Sequence, residues 1–279
     1  MYETVRHSGP DEFLTVAEEW LLRAEDRHNL ILSLTAARLG NSEDDAFYGT
    51  VLERGAVVGC ALRTPPHKVL ITELPVDAAP SLARALAERY EHIPAVLGPP
   101  TPAEAVAMAW VAERGGGWRP GMEQRLYRLD EVTPPPPVSG ACRMATPDDT
   151  ELAVEWAGGF ARDAGQRFTL KREAVEGWID RRRLFVWEDE RPRSIAVAHG
   201  RTPRGVRVGY VYTPPESRRH GYASALVAEV SQSMLDAGSD FCVLYTDQSN
   251  PTSNAIYRRL GYRPIADVRD YDLIPEEAV

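Results

Sequence analysis

The chain has 279 residues, 43% hydrophobic and 26% charged, with a formal net charge of −9. At roughly 100–200 residues per domain this length predicts two domains, each with enough chain to bury a core. The acidic balance argues against a general nucleic-acid binder. No stretch approaches the ~20 apolar residues of a membrane span, and Met1 to Pro10 lacks an apolar signal segment, so a cytoplasmic protein with no membrane partner is expected. Cys60, Cys142 and Cys242 show neither metal-ligand nor disulfide spacing and read as small buried hydrophobes in a reducing compartment.

In chain order, Phe13, Val16, Ala17, Trp20, Leu21 and Ala24 form the apolar stripe of an opening helix. A second helix is expected over Asn29 to Leu39. Strands follow at Phe47 to Leu52 and Ala56 to Leu62 around a Glu53-Arg54-Gly55 turn, then at Val69 to Leu74. Ala79 to Tyr90 reads as a helix and Ala95 to Leu97 as a short strand. Thr101-Pro102-Ala103-Glu104 has the form of a capping box with proline at the first helical position. That helix ends at Gly115-Gly116-Gly117, and Met122 to Leu129 is a strand.

Pro134 to Pro137 cannot continue a helix or a ladder and favour an extended connector. The expected division is therefore a first domain over residues 1–132, a linker over 133–139 and a second domain over 140–279. The second half repeats the order of the first. It has a strand at Ala141 to Ala145, helices at Asp148 to Gly158 and Lys171 to Arg182, and strands at Leu184 to Trp187, Ser194 to His199 and Val206 to Tyr212. A helix over Tyr222 to Ala237, a strand at Phe241 to Tyr245, a helix over Asn250 to Leu260 and a strand at Val268 to Leu273 complete it. Arg63-Thr64-Pro65 and Arg201-Thr202-Pro203 fall in matching loops, and Gly117-Trp118 matches Gly261-Tyr262. The fold class expected is α/β: two tandem domains, each a mixed sheet flanked by helices.

The strand ending at Tyr212 runs through Thr213-Pro214-Pro215-Glu216-Ser217-Arg218-Arg219-His220-Gly221 into a long helix beginning Tyr222-Ala223. The first N–H groups of a helix lack partners and its dipole is positive there, which suits a pyrophosphate. Gly221 permits close backbone approach, and Arg218 and Arg219 add positive charge. A glycine in a tight turn with solvated arginines explains the loop equally well when it is taken alone. Downstream stands Asn250-Pro251-Thr252-Ser253-Asn254-Ala255-Ile256-Tyr257-Arg258-Arg259-Leu260-Gly261-Tyr262.

Together these stretches resemble the GNAT acetyltransferase superfamily. Arg218, Gly221 and Ala223 fill its Gln/Arg-x-x-Gly-x-Gly/Ala loop. Asn250, Ser253, Tyr257, Gly261 and Tyr262 fill its Asn-x-x-Ser/Ala-x-x-x-Tyr-x-x-x-Gly-Phe/Tyr helix. The detailed match covers about residues 205–265. The resemblance implies mostly antiparallel mixed sheets and acetyl-CoA as acyl donor. It also implies a bulged strand whose Val211, Tyr212 and Thr213 backbone pairs with the pantetheine arm. Backbone N–H groups of Arg219, His220, Gly221, Tyr222, Ala223 and Ser224 would hold the pyrophosphate. Tyr257 would protonate the departing thiolate, a role open to a phenol with an ordinary pKa of about 10. Its alternative role is packing the helix against the sheet. Asn250 is an ordinary helix N-cap and, by the resemblance, also a contact of the cofactor arm. Ser253 carries the weakest assignment, since a first-turn serine is often a capping hydroxyl. His199, Glu216, Asp163 or water are open candidates for the general base, and no metal is expected.

In the first half the corresponding loop is Pro75-Val76-Asp77-Ala78-Ala79-Pro80, which lacks glycine, loses donors at two prolines and carries the wrong charge. Glu113 stands where the tyrosine would fall. The first half therefore reads as a copy without a cofactor site. The resemblance implies an N-acyltransferase acting on a primary amine of a small molecule or amino acid. The alternative is a non-catalytic acyl-CoA-sensing regulatory protein.

Overall fold

The computed structural model describes residues 1–40, 45–165 and 170–276. The first half contains β1 (Tyr2–His7), α1 (Pro10–Leu22), α2 (Asn29–Ala36), β2 (Phe47–Glu53), β3 (Ala56–Arg63) and β4 (Val69–Ile71). It continues with α3 (Ala79–Ala87), β5 (Ala95–Gly98), α4 (Pro100–Arg114) and β6 (Gly117–Leu129). There follow β7 (Ala141–Met144), α5 (Thr150–Asp163), α6 (Arg172–Asp180), β8 (Leu184–Asp189), β9 (Arg191–His199) and β10 (Gly205–Tyr212). The chain ends with α7 (Tyr222–Asp236), β11 (Phe241–Asp247), α8 (Pro251–Arg259) and β12 (Arg263–Ile274). Among the described residues no helix is long and apolar enough to cross a membrane.

Two compact units result, and the first is not contiguous: it comprises Met1–Arg125 with Ala266–Val279, while the second is Leu126–Ile265. This differs from a division at the proline run. In the first unit the strands are ordered β1-β2-β3-β4-β5, followed by the parts of β12 and β6 that belong to it. All its recorded pairings are antiparallel except β4 with β5. In the second unit the order is Leu126–Leu129 of β6, then β11-β10-β9-β8-β7, with β10 and β11 parallel.

The last strand joins the first unit for chemical reasons. Tyr271 is buried in that unit's core and meets Trp118 edge-on, with ring centroids 5.6 Å apart. Asp267 takes a two-pronged bond from Arg125, at 2.7 and 3.0 Å, and Asp270 pairs with Lys68. The proline run is no free spacer either. Val132 and Val138 pack on the second unit's core, and the Trp187 indole N–H donates to the Ser139 carbonyl at 2.9 Å.

Local expectations fail at two places. The sequence pattern does not reveal β1, because Glu3 and Arg6 break its apolar run; pairing with Tyr48 to Glu53 of β2 forms the strand. The Thr101 capping box does not form: the N-cap is Pro99 and makes no side-chain cap bond. A capping box appears instead at Thr146, with Asp149 at the third position donating nothing and accepting from the Thr146 N–H at 2.8 Å.

We expect Tyr271→Ala to lower stability by roughly 3–5 kcal/mol, as for other buried aromatic truncations. Hydrogen exchange followed by mass spectrometry should accelerate in β4 and β5 while β8 and β9 stay protected. Acceleration confined to β8 and β9 would contradict the assignment of the last strand to the first unit.

Candidate functional site

β10 faces β9 in regular antiparallel register from Arg207↔His199 to Gly209↔Val197, and the register then shifts so that Tyr212 faces Ile195. One extra residue has entered β10, a β-bulge, and Tyr210 within it has φ 50°. On its other side β10 pairs with β11 only from Gly205↔Phe241 to Arg207↔Val243. Beyond that point the two strands part. Burial follows: Gly205 to Val208 are buried, whereas Gly209 to Thr213 are all partly exposed, although helices cover the sheet.

The β9 side of the bulged strand remains fastened. The Ser194 hydroxyl donates to the Tyr212 carbonyl at 2.9 Å and accepts from the Thr213 hydroxyl at 2.9 Å. The opening is therefore on the β11 side, where main-chain groups of Val211 to Thr213 are accessible to an extended ligand backbone.

The loop that follows contains a 3-10 turn, Pro215–Ser217, and two left-handed residues, Arg219 at φ 69° and Gly221 at φ 86°. Among the described residues, the N–H groups of Arg219 to Ser224 have no acceptor; the first satisfied one is Ala225, bonded to the Gly221 carbonyl at 3.0 Å. Six successive donors at the positive end of a 15-residue helix form a cradle for an anion. At Gly221 the φ of 86° favours glycine, and a Cβ there would lie 2.8 Å from Val138 Cγ1, so that side chain would have to shift. Behind the cradle the Tyr222 hydroxyl donates to Asp189 at 2.6 Å, and Ser139 donates to the same carboxylate oxygen at 2.7 Å. These two bonds hold the Asp189 carboxyl below its usual range.

Arg218 is not aimed at the cradle. Its guanidinium donates to the Thr213 carbonyl at 2.9 Å and to Asp163 at 2.6 Å, strapping the end of β10 to α5. Arg219 and His220 are exposed beside the donors, and the His220 ring stacks on Tyr222 with centroids 5.7 Å apart.

Asn250 caps α8, its Oδ1 accepting from the Ser253 N–H at 3.0 Å. Sequence reasoning missed Asn254. It is buried, its amide donates to the Asp247 and Asn250 carbonyls at 2.8 and 2.7 Å, and its Oδ1 accepts from the Tyr127 hydroxyl at 2.9 Å. A polar side chain on the apolar face of α8 was the available signal. Tyr257, one turn on, is buried against Tyr262, ring centroids 5.9 Å apart. Burial alone pushes its phenol up to about 12.

The three base candidates are separated. Asp163 is engaged by Arg218, and Glu216 lies exposed on the 3-10 turn. His199 lies over the bulge: a Cβ at Gly209 would be 2.7 Å from its Nε2. Burial first, then the charges of Arg207 and Arg183, hold the imidazole well below its ordinary value, so it is neutral at pH 7. Among the described residues no group of three or more His, Cys, Asp or Glu side chains is arranged to hold a metal.

The first unit lacks this geometry. β4 runs in unbroken register with β3 and pairs with β5 at Val69↔Val96 and Leu70↔Leu97. A Cβ at Gly98 would lie 2.9 Å from the Ile71 carbonyl oxygen, so the strands stay close at the end of β4. In the following loop the Ala78 and Ala79 N–H groups are bonded to Pro75 and Val76. Glu113 faces Arg84 at 3.6 Å.

A family model described as FR47-like protein matches residues 192–270. A search of curated protein sequences finds no match. Among solved structures, a Drosophila melanogaster protein is similar over 98% of this chain and 99% of its own, at 13% identity and TM-score 0.70. A GCN5-related N-acetyltransferase from Sphaerobacter thermophilus is similar over 98% and 96%, at 15% identity and TM-score 0.63. A tandem GNAT protein from the clavulanic acid biosynthesis pathway is similar over 97% of both chains, at 14% identity and TM-score 0.55. The chain shares with these structures its α/β fold of mixed, mostly antiparallel sheet flanked by helices, and the FR47-like match is centred on its second unit.

Proposed function

We propose that the second unit transfers an acetyl or short acyl group from acetyl-CoA to a primary amine of a small molecule or amino acid. The observation that carries this reading is the pairing of two main-chain surfaces: the edge around Val211, which has no partner on β11, and the six donors from Arg219 to Ser224. An amide-bearing arm ending in a pyrophosphate fits that sequence of needs, amide groups first and anion second. Acetyl-CoA, when bound, supplies an activated thioester. The three unbridged thiols are compatible with a cytoplasmic setting.

In the transfer the amine nitrogen forms a C–N bond, the C–S bond breaks, one amine proton leaves and the sulfur departs as a thiolate, which takes up a proton from solvent. His199, neutral and beside the bulge, is the side chain best placed to receive the amine proton, directly or through water. Tyr257 supplies the hydrogen bond to the departing sulfur. With its phenol at about 12 against about 8.5 for a thiol, full proton transfer would be uphill by ~5 kcal/mol. Its contribution is therefore a charge-assisted hydrogen bond as negative charge grows on sulfur. Asn250 and Ser253, at the capped start of α8, serve the cofactor arm; Arg218 serves by holding β10 in place.

Gly221→Asp places a side chain and a negative charge in the cradle. Calorimetry should show CoA affinity falling at least about tenfold, the loss of one charge-assisted hydrogen bond or more. Circular dichroism monitors the fold; unchanged affinity in a folded variant would sink the cradle assignment.

Tyr257→Phe should lower kcat by about 10–100-fold with little change in CoA affinity, since a bond of 1.5–3 kcal/mol is made only as charge develops. An unchanged kcat would return Tyr257 to a packing role. Titration of the intact chain should saturate at one CoA. Two equivalent sites would overturn the reading of the first unit as a copy without a site.

A further inference from the structure

The bulge does more than open the strand. Val206, Val208 and Val211 pack on the core under α7, whereas Tyr210 and Tyr212 pack on the core beneath α5 and α6. Two residues, not one, separate Val208 from Val211, so the extra residue turns Tyr210 toward the α5–α6 face. There its ring lies 4.5 Å from Trp178, 5.2 Å from Phe160 and 5.5 Å from His199, centroid to centroid. All four rings are only partly buried. Among the described residues neither the Tyr210 hydroxyl nor the Trp178 indole N–H has a hydrogen-bond partner, leaving polar tips on an apolar wall. Holding Tyr210 at φ 50° costs on the order of 1–3 kcal/mol, a strain kept where it serves a site.

The charge around this wall is positive. Arg207 and Arg183 are the charges acting on His199, and the carboxylate of Asp163, three residues beyond Phe160 on α5, is held by Arg218. A polycation such as a polyamine or aminoglycoside is recognised by carboxylates, and among the described residues no free carboxylate is recorded against these four rings. A planar ring is recognised by offset or edge-on contact with other rings.

We infer that the acceptor is a primary amine carried on an aromatic body, lodged against Trp178, Tyr210 and Phe160 with its amine toward the parting of β10 and β11. The inference rests on the acyl-transfer reading of the second unit. The products are the N-acylated aromatic amine and the free CoA thiol.

The test uses the intact chain with acetyl-CoA. Thiol release is followed with tryptamine, tyramine and phenethylamine against spermidine, kanamycin and glycine, and CoA binding is measured by calorimetry in parallel. The aromatic amines should show kcat/KM at least about tenfold above the others. Trp178→Ala should raise KM for tryptamine about tenfold with CoA affinity unchanged, and Trp178→Phe should recover most of it. If Trp178→Ala does not fold, Phe160→Leu reads the same wall from α5. Preference for spermidine, kanamycin or glycine, or no thiol release from any aromatic amine, would overturn the inference while CoA binding stands. Absence of CoA binding in the unaltered chain would overturn the acyl-transfer reading and this inference with it.

Discussion

One strand has to choose between its neighbours. With an extra residue between Gly209 and Tyr212, β10 cannot stay in register with β9 and β11 together. It keeps β9, through Ser194 and its two hydroxyl bonds, and gives up β11. The consequence is that main-chain groups around Val211, in the middle of a helix-covered sheet, have no partner on β11, while the Thr213 carbonyl is taken by Arg218. Everything distinctive about the second unit surrounds that gap: the cradle beyond its mouth, Tyr257 on one face and the ring wall on the other.

The cradle shows how little of the work falls to side-chain charge. Arg218, the residue that looked like an anion ligand, is spent on Thr213 and Asp163. Neutral backbone donors, aimed by left-handed conformations at Arg219 and Gly221, are what the loop offers an anion. Such donors lose no side-chain entropy on binding and stay in position at any pH at which the fold survives. The arginine strap then fixes the strand end from which the loop departs, so the open edge of β10 and the loop share one anchor.

Legibility in the sequence divides along the same line. The loop through Gly221 and the helix from Asn250 to Tyr262 could be read directly, because closely spaced residues must each meet a local demand: a positive φ, a cap, a small side chain in a first turn. The bulge itself carries no such mark; Val208-Gly209-Tyr210-Val211 looks like an ordinary strand. Nor can a string of residues disclose that Phe160, Trp178, His199 and Tyr210, drawn from four elements, meet at one place. The direction of Arg218 depended on Asp163, 55 residues away, and Asn254 was hidden among the stronger motif residues beside it. The proline run was legible as a break in regular structure, but the unit boundary was not, because only tertiary contacts decide which sheet receives β12.

That last assignment has a consequence for the order in which the protein is made. Residues 126–265 form the second unit without interruption, so it has all its chain once Ile265 is synthesised. The first unit takes in residues 1–125 yet lacks Tyr271 and the carboxylates of Asp267 and Asp270 until the segment after Ile265 emerges. Its β5 edge waits through the synthesis of the whole second unit, exposed to the risk that attends any unpaired strand. The half that begins first is completed last, and the half bearing the candidate site has all its chain before the half that precedes it does.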